Sequence, residues 1–214
     1  MRIAMIGGTG LIRRALAPLL VAAGHDVLLI GRRSAGVAGV EERVGPIGEW
    51  PGLLAGETID VAISTLGTTI KQAGNWVAFR AVDVEAVLGF AQAAHAAGAR
   101  QMLSVSSVGA LHGAHNKYLA MKGETERGLS AIGFERLDIV RPGLLRGDRG
   151  DAQRIGERIG LALSPLANLL LRGSLDRFAA IDADTVAAAM AALVGVEGKG
   201  RRVHFNRDLK GLAN

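Results

Sequence analysis

The sequence predicts an α/β protein built on a doubly wound, mostly parallel sheet with helices on both faces. Short apolar runs alternate with longer helical patterns along most of the 214 residues, as expected when helices bury both faces of a parallel sheet. Aromatic residues make up only 4% of the chain, and there are 30 glycines, which suits close packing of helices on strands. The length allows one domain with a substantial core, so we expect residues 1–214 to form a single domain.

The elements follow one another in a regular order. Strands are predicted for six runs, namely RIAMIG (2–7), DVLLIG (26–31), DVAIST (60–65), QMLSVSS (101–107), RLDIVRP (136–142) and RRVHF (201–205). Helical patterns lie between them at 11–23, 76–97, 116–131 and 184–194. Gly24 and Gly98 stand before the strands at 26–31 and 101–107, where helix C-caps are expected. The Gly-rich stretch 32–58 predicts a reduced unit with a further strand near 42–48.

Residues 143–180 interrupt this alternation. Ligands of open α/β sheets bind beyond the carboxyl ends of the strands, so we expect this insertion to form a small substrate cover. Its apolar stretch 161–171 is broken by Ser164, Pro165 and Asn168 and is far shorter than the roughly 20 residues of a membrane span. Nothing upstream of the first strand resembles a signal peptide. We therefore expect a cytoplasmic protein that does not bind membranes.

The composition also excludes several kinds of site. The chain has no cysteine, which rules out disulfides, thiolate nucleophiles and cysteine-ligated metals. Its five histidines form no HExxH pattern, and we expect no metal site. The net charge of +5 arises from scattered arginines beside a single tyrosine, so nucleic-acid binding is not favoured. The GxSxG elbow of hydrolases and the phosphate-binding P-loop are both missing from the sequence.

A glycine-rich turn directly follows the first predicted strand and precedes the first helical pattern. In IGGTGLIRRAL (6–16), Gly8 and Gly10 occupy the first two positions of a G-x-G-x-x-G dinucleotide fingerprint, and Arg13 occupies the third. Such a turn lets backbone N–H groups approach a pyrophosphate at a helix N-terminus. We expect this segment to bind a dinucleotide cofactor through Gly7, Gly8, Thr9, Gly10, Leu11, Ile12 and Arg13.

Arg13 replaces a glycine whose usual role is close packing of the helix on the strand. Either the helix lies further from the sheet, or the side chain turns outward toward the pyrophosphate or the 2′-phosphate of the cofactor. A cation in the first turn of a helix opposes the helix dipole unless an anion is near. We therefore favour the outward orientation, in which Arg13 faces the ligand.

The residues after the second predicted strand indicate which cofactor is bound. NAD sites usually carry an acid here for the ribose 2′-hydroxyl, whereas NADP sites carry an arginine for the 2′-phosphate. In this chain the strand runs into GRRS, and Arg32, Arg33 and Ser34 offer donors to a phosphate. We expect NADP(H) to be preferred, with NAD(H) possible.

The only tyrosine, Tyr118, stands four residues before Lys122, so the two side chains share one face of a predicted helix. A neighbouring ammonium favours the phenolate. The pair can therefore exchange a proton with a carbonyl or an alcohol while hydride moves to or from a nicotinamide. Ser106 and Ser107 end the preceding strand, where a hydroxyl can bind the same substrate oxygen. Ser107 is the better candidate because it lies further beyond the strand.

These motifs, in this order, resemble those of the short-chain dehydrogenase/reductase superfamily in its atypical form. DVAISTLGTTIKQAG, SSVGA before YLAMKGETE, and GFERLDIVRPGLL are similar to the Tat-interacting-protein-like oxidoreductases, over residues 2 to about 195. The resemblance implies a Rossmann fold that binds NADP(H), with Ser107, Tyr118 and Lys122 at the catalytic positions. It further implies cofactor contacts from Thr65, Leu66, Gly67, Ser106, Tyr118, Lys122, Arg141, Pro142 and Gly143. Asp184 falls where an acid begins the last helix, as an N-cap would.

The sequence thus predicts an NADPH-dependent oxidoreductase that acts on a small carbonyl, imine or quinone-like substrate. Tyr118 would donate the proton, Lys122 would hold ribose hydroxyls, and Ser107 would orient the substrate oxygen. One alternative is a non-catalytic NADP(H)-binding redox sensor or regulatory partner protein, because similar proteins often have no known substrate. An NAD-dependent epimerase or dehydratase shares the same triad but is disfavoured by the arginines at 32 and 33. We expect a monomer or a homodimer.

Overall fold

The apolar runs of the sequence become a parallel sheet because helices cover both of its faces. The computed structural model describes residues 1–7, 10–147 and 173–214. Within them the strands are β1 (Arg2–Ile6), β2 (Asp26–Gly31), β3 (Val40–Val44), β4 (Val61–Ser64), β5 (Gln101–Val105), β6 (Arg136–Val140), β7 (Leu144–Arg146), β8 (Ala180–Asp182) and β9 (Gly200–His204). Seven of these form one sheet in the order β3-β2-β1-β4-β5-β6-β9, in which every neighbouring pair is parallel. β7 and β8 pair separately.

The helices alternate with the strands. In the described residues they are α1 (Leu11–Ala22), α2 (Ile70–Ala73), α3 (Trp76–Arg80), α4 (Val87–Ala96), α5 (Lys117–Ile132), α6 (Ala183–Leu193) and α7 (Asn206–Leu212). A π-helical turn, Ala81–Ala86, joins α3 to α4, and single 3-10 turns cover Ile47–Glu49, Gly52–Leu54 and Gly173–Phe178. The order confirms the predicted Rossmann-type architecture.

Two apolar layers flank the sheet, as the alternation of side chains along β1 requires. Ile3 and Met5 face a layer formed by α1 and α6. Ala4 and Ile6 face the opposite layer, to which α4 and α5 contribute. Small alanines let these helices lie close to the sheet, which explains how a chain poor in aromatic residues buries a continuous core.

The structure also corrects several boundaries. The strand expected near 42–48 lies at Val40–Val44, and the strand expected to reach 107 ends at Val105. The N-cap of α6 is Asp182, which makes no side-chain capping bond, whereas Asp184 lies inside the first turn. α7 follows α6, so α6 is not the last helix. α7 was missed because its seven residues are too few to show a clear apolar period.

The predicted substrate cover falls mostly outside the described residues, since residues 148–172 are not among them. Its two ends are described. β7 leaves the main sheet just after β6, and β8 leads directly into α6. The pairing of β7 with β8 therefore brings both ends of the insertion together.

A buried carboxylate connects β6 to both neighbouring strands. Asp138 is fully buried and accepts hydrogen bonds from Arg136 at 2.7 Å and from Gln101 of β5 at 2.9 Å. Its other oxygen lies 2.8 Å from His204 Nε2 of the edge strand β9. Burial alone raises the pKa of Asp138, but hydrogen bonds from His204, Arg136 and Gln101 more than offset it and lower that pKa to about 2.

We predict that Asp138 makes folding stability depend on acid. The carboxyl has an ordinary pKa of 3.8 when unfolded and about 2 when folded. At about 1.4 kcal/mol per pKa unit, its ionised form stabilises the fold by about 2 kcal/mol. This contribution is complete above pH 4 and is lost as the pH falls toward 2. The free energy of unfolding, measured in urea, should differ between wild type and Asp138→Asn, and this difference should shrink as the pH falls from 4 to about 2. A difference that does not change with pH contradicts the assignment.

Candidate functional site

The carboxyl ends of the parallel strands meet at one edge of the sheet, and most of the predicted site residues lie there. Gly7 follows β1 and Arg32 follows β2. Thr65 follows β4, Ser106 follows β5, and Arg141 follows β6. Segments that are far apart in the sequence are therefore brought to one edge by strand direction alone.

The glycine turn is shaped by contact between the ends of β1 and β4. Gly7 has φ +153°, and a Cβ there would lie 1.9 Å from Thr65 Oγ1, so no larger residue fits. Thr65 is held in turn by its N–H, which donates to the carbonyl of Ile6 at 2.9 Å. Gly10 is the exposed N-cap of α1, and a Cβ there would lie 3.5 Å from the Gly7 carbonyl oxygen and 4.0 Å from that of Thr65. Gly8 and Thr9 lie outside the described residues.

The first turn of α1 packs toward the interior at three of its positions. Ile12 packs in the core beside α6, with Leu11 at the margin of that layer, so these residues can offer a cofactor only their backbone. Arg13 is buried with 3% exposure, and two of its guanidinium nitrogens, Nε and Nη1, have no hydrogen-bond partner in the described part of the chain. Arg14 is the residue that faces solvent. The predicted outward orientation of Arg13 is therefore wrong.

The segment after β2 presents two exposed arginines, Arg32 and Arg33. Neither forms an ion pair with a described carboxylate. Ser34 differs from its predicted role, because its hydroxyl donates to Glu42 of β3. Burial raises the pKa of Glu42, but hydrogen bonds from Ser34 and from backbone N–H groups outweigh this and lower it. The ionised Glu42 therefore holds the loop after β2 in place through these hydrogen bonds.

A buried ion pair lies where the β4 loop meets α5. Lys122 Nζ is 2.6 Å from Asp83 Oδ1, and the two side chains are 7% and 0% exposed. The other oxygen of Asp83 accepts the backbone N–H of Thr68 at 2.9 Å. A Cβ on Gly67 would lie 3.6 Å from Lys122 Nζ, so this glycine brings the loop next to the ammonium. Leu66, by contrast, packs in the core.

Tyr118 lies in the first turn of α5, one helical turn before Lys122. Asn116 caps the helix by accepting the N–H of Leu119 at 3.2 Å. The tyrosine ring packs edge-on against Phe79 of α3, with centroids 5.7 Å apart, and Lys122 Nζ is 6.0 Å from the ring centroid. The structure therefore places Tyr118 and Lys122 together, as their spacing predicted.

The two serines after β5 have different surroundings. Ser106 is buried, and its hydroxyl donates to Glu126 of α5 at 2.6 Å. Ser107 is only partly buried, and its hydroxyl makes a long 3.3 Å bond to the carbonyl of Val108. Ser107 is thus the serine able to change partner for a substrate, whereas the Ser106 hydroxyl is occupied by Glu126.

The segment after β6, Arg141, Pro142 and Gly143, is held by hydrogen bonds to three other parts of the chain. Arg141 donates two hydrogen bonds to Glu126, at 2.8 and 2.6 Å. The carbonyl of Pro142 accepts the N–H of Val108 at 3.2 Å, and Gly143 donates to Asn206 at 2.9 Å. The Arg141 charge is therefore balanced by Glu126.

Three acids that sequence reasoning missed organise this edge, namely Glu42, Asp83 and Glu126. Glu126 follows Lys122 by four residues on α5, and this spacing could have revealed it. Asp83 lies in the π-helical turn, and such turns are frequent at functional sites. Its partner, Lys122, becomes evident only when this turn and α5 are placed side by side.

The remaining observations concern metals and membranes. No group of three histidine or carboxylate side chains in the described ranges is arranged to hold a metal ion. The helices of that part of the chain are too short or too polar for any of them to cross a bilayer.

Comparisons with known sequences identify similar proteins, although no family model matches. The chain is 31% identical over 211 residues to the protein fmp-52, mitochondrial, of Neurospora crassa, covering 92% of this chain and 87% of that protein. It is 34% identical over 148 residues to the FMP52 protein, mitochondrial, of Coccidioides immitis, covering 67% of this chain. The chain spans 60% of the length of the Coccidioides relative.

Solved structures share the fold. A short-chain dehydrogenase/reductase superfamily protein of Agrobacterium tumefaciens with bound NAD has a TM-score of 0.71 at 18% identity, over 100% of this chain and 81% of that one. The human epimerase family protein SDR39U1 with NADPH scores 0.65 at 22%, over 96% and 74%. The UDP-glucose 4-epimerase of Thermotoga maritima scores 0.70 at 14%, over 95% and 75%. The expected resemblance to the short-chain dehydrogenase/reductase superfamily is confirmed at the level of the fold.

The prediction of a cytoplasmic protein is wrong. The FMP52 relatives are named as mitochondrial proteins. The expectation rested on hydropathy, which cannot distinguish compartments, because every aqueous compartment imposes the same surface composition.

We predict that the Asp83–Lys122 pair is strongly coupled in stability. Asp83→Asn leaves a buried ammonium without its counterion, which should lower the free energy of unfolding by about 3 kcal/mol. Adding Lys122→Met should restore much of this loss, because the unpaired charge is removed as well. Urea unfolding of the two single variants and the double variant measures the coupling. Strictly additive losses contradict a direct pair.

Proposed function

The chain belongs to the FMP52 family, and we propose that it is an NADP(H)-dependent oxidoreductase that reduces a small carbonyl, imine or quinone-like substrate. One observation carries the proposal. The buried ammonium of Lys122 lies one helical turn after Tyr118 and directly beside Gly67 of the β4 loop. The glycine turn therefore shares its edge of the sheet with three further groups. These are the hydroxyl of Tyr118, which can donate a proton, the positive charge of Lys122, and the backbone at Gly67.

The cofactor, when bound, supplies a hydride to the substrate, and side chains of this protein supply the proton. Tyr118 donates its phenolic proton to the substrate oxygen or nitrogen, and the Lys122 ammonium stabilises the phenolate that remains. Lys122 would also donate to ribose hydroxyls of a bound cofactor. Ser107 orients the reacting oxygen, because its hydroxyl has only a weak bond to give up.

The described residues fit a dinucleotide. Gly10 is the exposed N-cap of a twelve-residue helix, so backbone N–H groups at this helix N-terminus can approach a pyrophosphate. Arg32 and Arg33 lie exposed at the end of β2, where a ribose 2′-phosphate would accept their hydrogen bonds. Glu42 of the neighbouring strand β3 binds the loop instead. This arrangement favours NADP(H) over NAD(H).

A second function is favoured by one specific contact. In this structure Asp83 neutralises Lys122 at 2.6 Å, which weakens the electrostatic support that the ammonium gives to a phenolate. A protein that binds NADP(H) as a redox sensor or regulatory partner needs no such support. Turnover experiments distinguish the two functions.

We predict that Tyr118→Phe lowers turnover by a factor of about 100 or more, the contribution typical of a positioned proton donor. The substitution keeps the ring contact with Phe79 and should leave NADPH affinity nearly unchanged. NADPH oxidation is followed with a panel of small aldehydes, α-diketones and ortho-quinones, and affinity is measured by calorimetry. Unchanged turnover in the variant contradicts the mechanism, whereas wild type that binds NADPH without oxidising it favours the sensor.

We predict a preference for NADPH over NADH that depends on Arg32 and Arg33. Each charge-assisted hydrogen bond to a phosphate is worth about tenfold in affinity, so Arg32→Ala with Arg33→Ala should remove most of the preference. NADH affinity should change little. Calorimetric titration of wild type and variant with both cofactors makes this measurement. Equal wild-type affinity for NADPH and NADH contradicts the assignment.

A further inference from the structure

We propose that Glu126 is a positioning residue, which fixes Ser107 at the end of β5 relative to Tyr118 and Lys122 on α5. The inference rests on the proposed function, in which the hydroxyls of Ser107 and Tyr118 must reach the same substrate atom. It gives a buried carboxylate a part in the reaction although the reaction does not require it to touch substrate or cofactor.

The first observation is that Glu126 shares a helix face with the two residues of α5 that would handle the proton. Tyr118, Lys122 and Glu126 follow one another at intervals of four residues, so they lie on one side of the helix. Lys122 and Glu126 are 6% and 3% exposed. Lys122 is paired with Asp83 beside the β4 loop, whereas Glu126 joins the same helix face to strands further along the sheet.

The second observation is the geometry of the carboxylate. Arg141 donates to both of its oxygens, from Nε to Oε1 at 2.8 Å and from Nη2 to Oε2 at 2.6 Å. Such a two-point contact fixes the plane of a carboxylate as well as its position. Oε1 also accepts the hydroxyl of Ser106 at 2.6 Å, and Oε2 accepts Arg201 of β9 at 2.8 Å. One side chain of α5 is therefore bonded to residues in or directly after β5, β6 and β9.

The third observation concerns the segment that carries Ser107. Backbone hydrogen bonds of 2.7 and 3.2 Å tie residues 106–108 to β6 and to the turn that follows it. Within the described ranges, the hydrogen bond that connects these residues to α5 is the one from Ser106 to Glu126. Ser107 is the next residue in the chain, so this bond sets the position of its backbone relative to the helix that carries Tyr118.

The consequence for the reaction is one of distance. Proton transfer requires that the hydroxyls of Tyr118 and Ser107 each lie within about 3 Å of the reacting atom. They come from two different elements, a helix and a strand end, so the relative position of these elements controls the rate. A misplacement of about 1 Å lowers turnover on the order of a hundredfold. The segment stays tied to β6 when the Ser106–Glu126 bond is lost, so we expect a smaller effect, of about tenfold.

The test removes one hydrogen bond to Glu126 at a time, from the side of its partners. Replacing Glu126 itself would leave Arg141 without its counterion and destabilise the fold. Ser106→Ala removes the bond to the end of β5. The matched control, Arg201→Met, removes the bond to β9, a strand that carries none of the proposed catalytic residues. Ser106→Thr keeps a hydroxyl at the position and serves as the conservative variant.

Three properties are measured for each protein. The kcat and the substrate KM are determined with NADPH and the most reactive member of the panel, and NADPH affinity is determined by calorimetry. Hydrogen exchange of the backbone amides at 105–111 is followed by mass spectrometry in the cofactor-free protein, so that the position of the segment is tested without turnover. Urea midpoints show the loss of stability in each variant.

We expect Ser106→Ala to lower kcat by about tenfold and to leave the substrate KM and the NADPH affinity within about twofold of wild type. Amide exchange at 105–111 should be faster than in wild type, and Ser106→Thr should restore both kcat and the exchange rate. Arg201→Met should change neither, although it removes a bond to the same carboxylate. A merely structural Glu126 would lower the urea midpoint of both variants and leave kcat unaffected.

Three outcomes overturn this inference. If Ser106→Ala keeps the kcat or the amide exchange of wild type while Tyr118→Phe loses turnover, Glu126 is structural and the proposed function stands. If Arg201→Met lowers kcat as much as Ser106→Ala does, the charge of the cluster matters and not the position of Ser107. If wild type binds NADPH but oxidises it with no member of the panel, the proposed oxidoreductase is wrong and the inference fails with it.

Discussion

The parallel pairing of all seven sheet strands determines where polar groups can lie in this molecule. Helices cover both faces, so a charged side chain near the sheet has no water to replace a missing partner. Asp138 meets this constraint with Arg136, Gln101 and His204, and Glu126 meets it with Ser106, Arg141 and Arg201. The same pairing directs all carboxyl ends to one edge, where backbone polar groups and loops can be exposed. The parallel pairing of the strands therefore explains both the buried polar networks and the position of the candidate site.

The Asp83–Lys122 pair links that constraint to chemistry. A lysine beside the sheet needs a counterion to remain charged, and the π-helical turn after α3 supplies one that also binds the N–H of Thr68. The loop after β4, the turn before α4 and the face of α5 that carries Tyr118 and Lys122 are thus held in a single arrangement. Because the Asp83 carboxylate offsets much of the Lys122 charge, the ammonium stabilises a Tyr118 phenolate less than an unpaired lysine would.

The sequence predicted those parts of the site that depend on local pattern. The strands followed from short continuous apolar runs, the glycine turn from its place at a strand end, and the Tyr118–Lys122 face from a spacing of four residues. What it could not predict are contacts between segments far apart in the chain. Nothing in the local sequence shows that Asp83 meets Lys122 or that Ser106 meets Glu126. Arg13 is the instructive failure, because the dipole argument favoured a side chain turned outward to a ligand, whereas the structure buries it.

The charges along the sheet edge differ between its two ends, and this difference bears on the proposed reaction. After β2, Arg32 and Arg33 have no described carboxylate partner, and Glu42 is occupied by the loop. Arg141, which follows β6, and Arg201 of β9 both bind Glu126, so one buried carboxylate offsets much of their charge. A phosphate is attracted to the first end, whereas the second offers a neutral substrate no strong competing field. The proposed cofactor, with an extra phosphate at one end, and the proposed neutral substrate at the other would suit this difference, which arises because a carboxylate pairs with the described arginines at only one of the two ends.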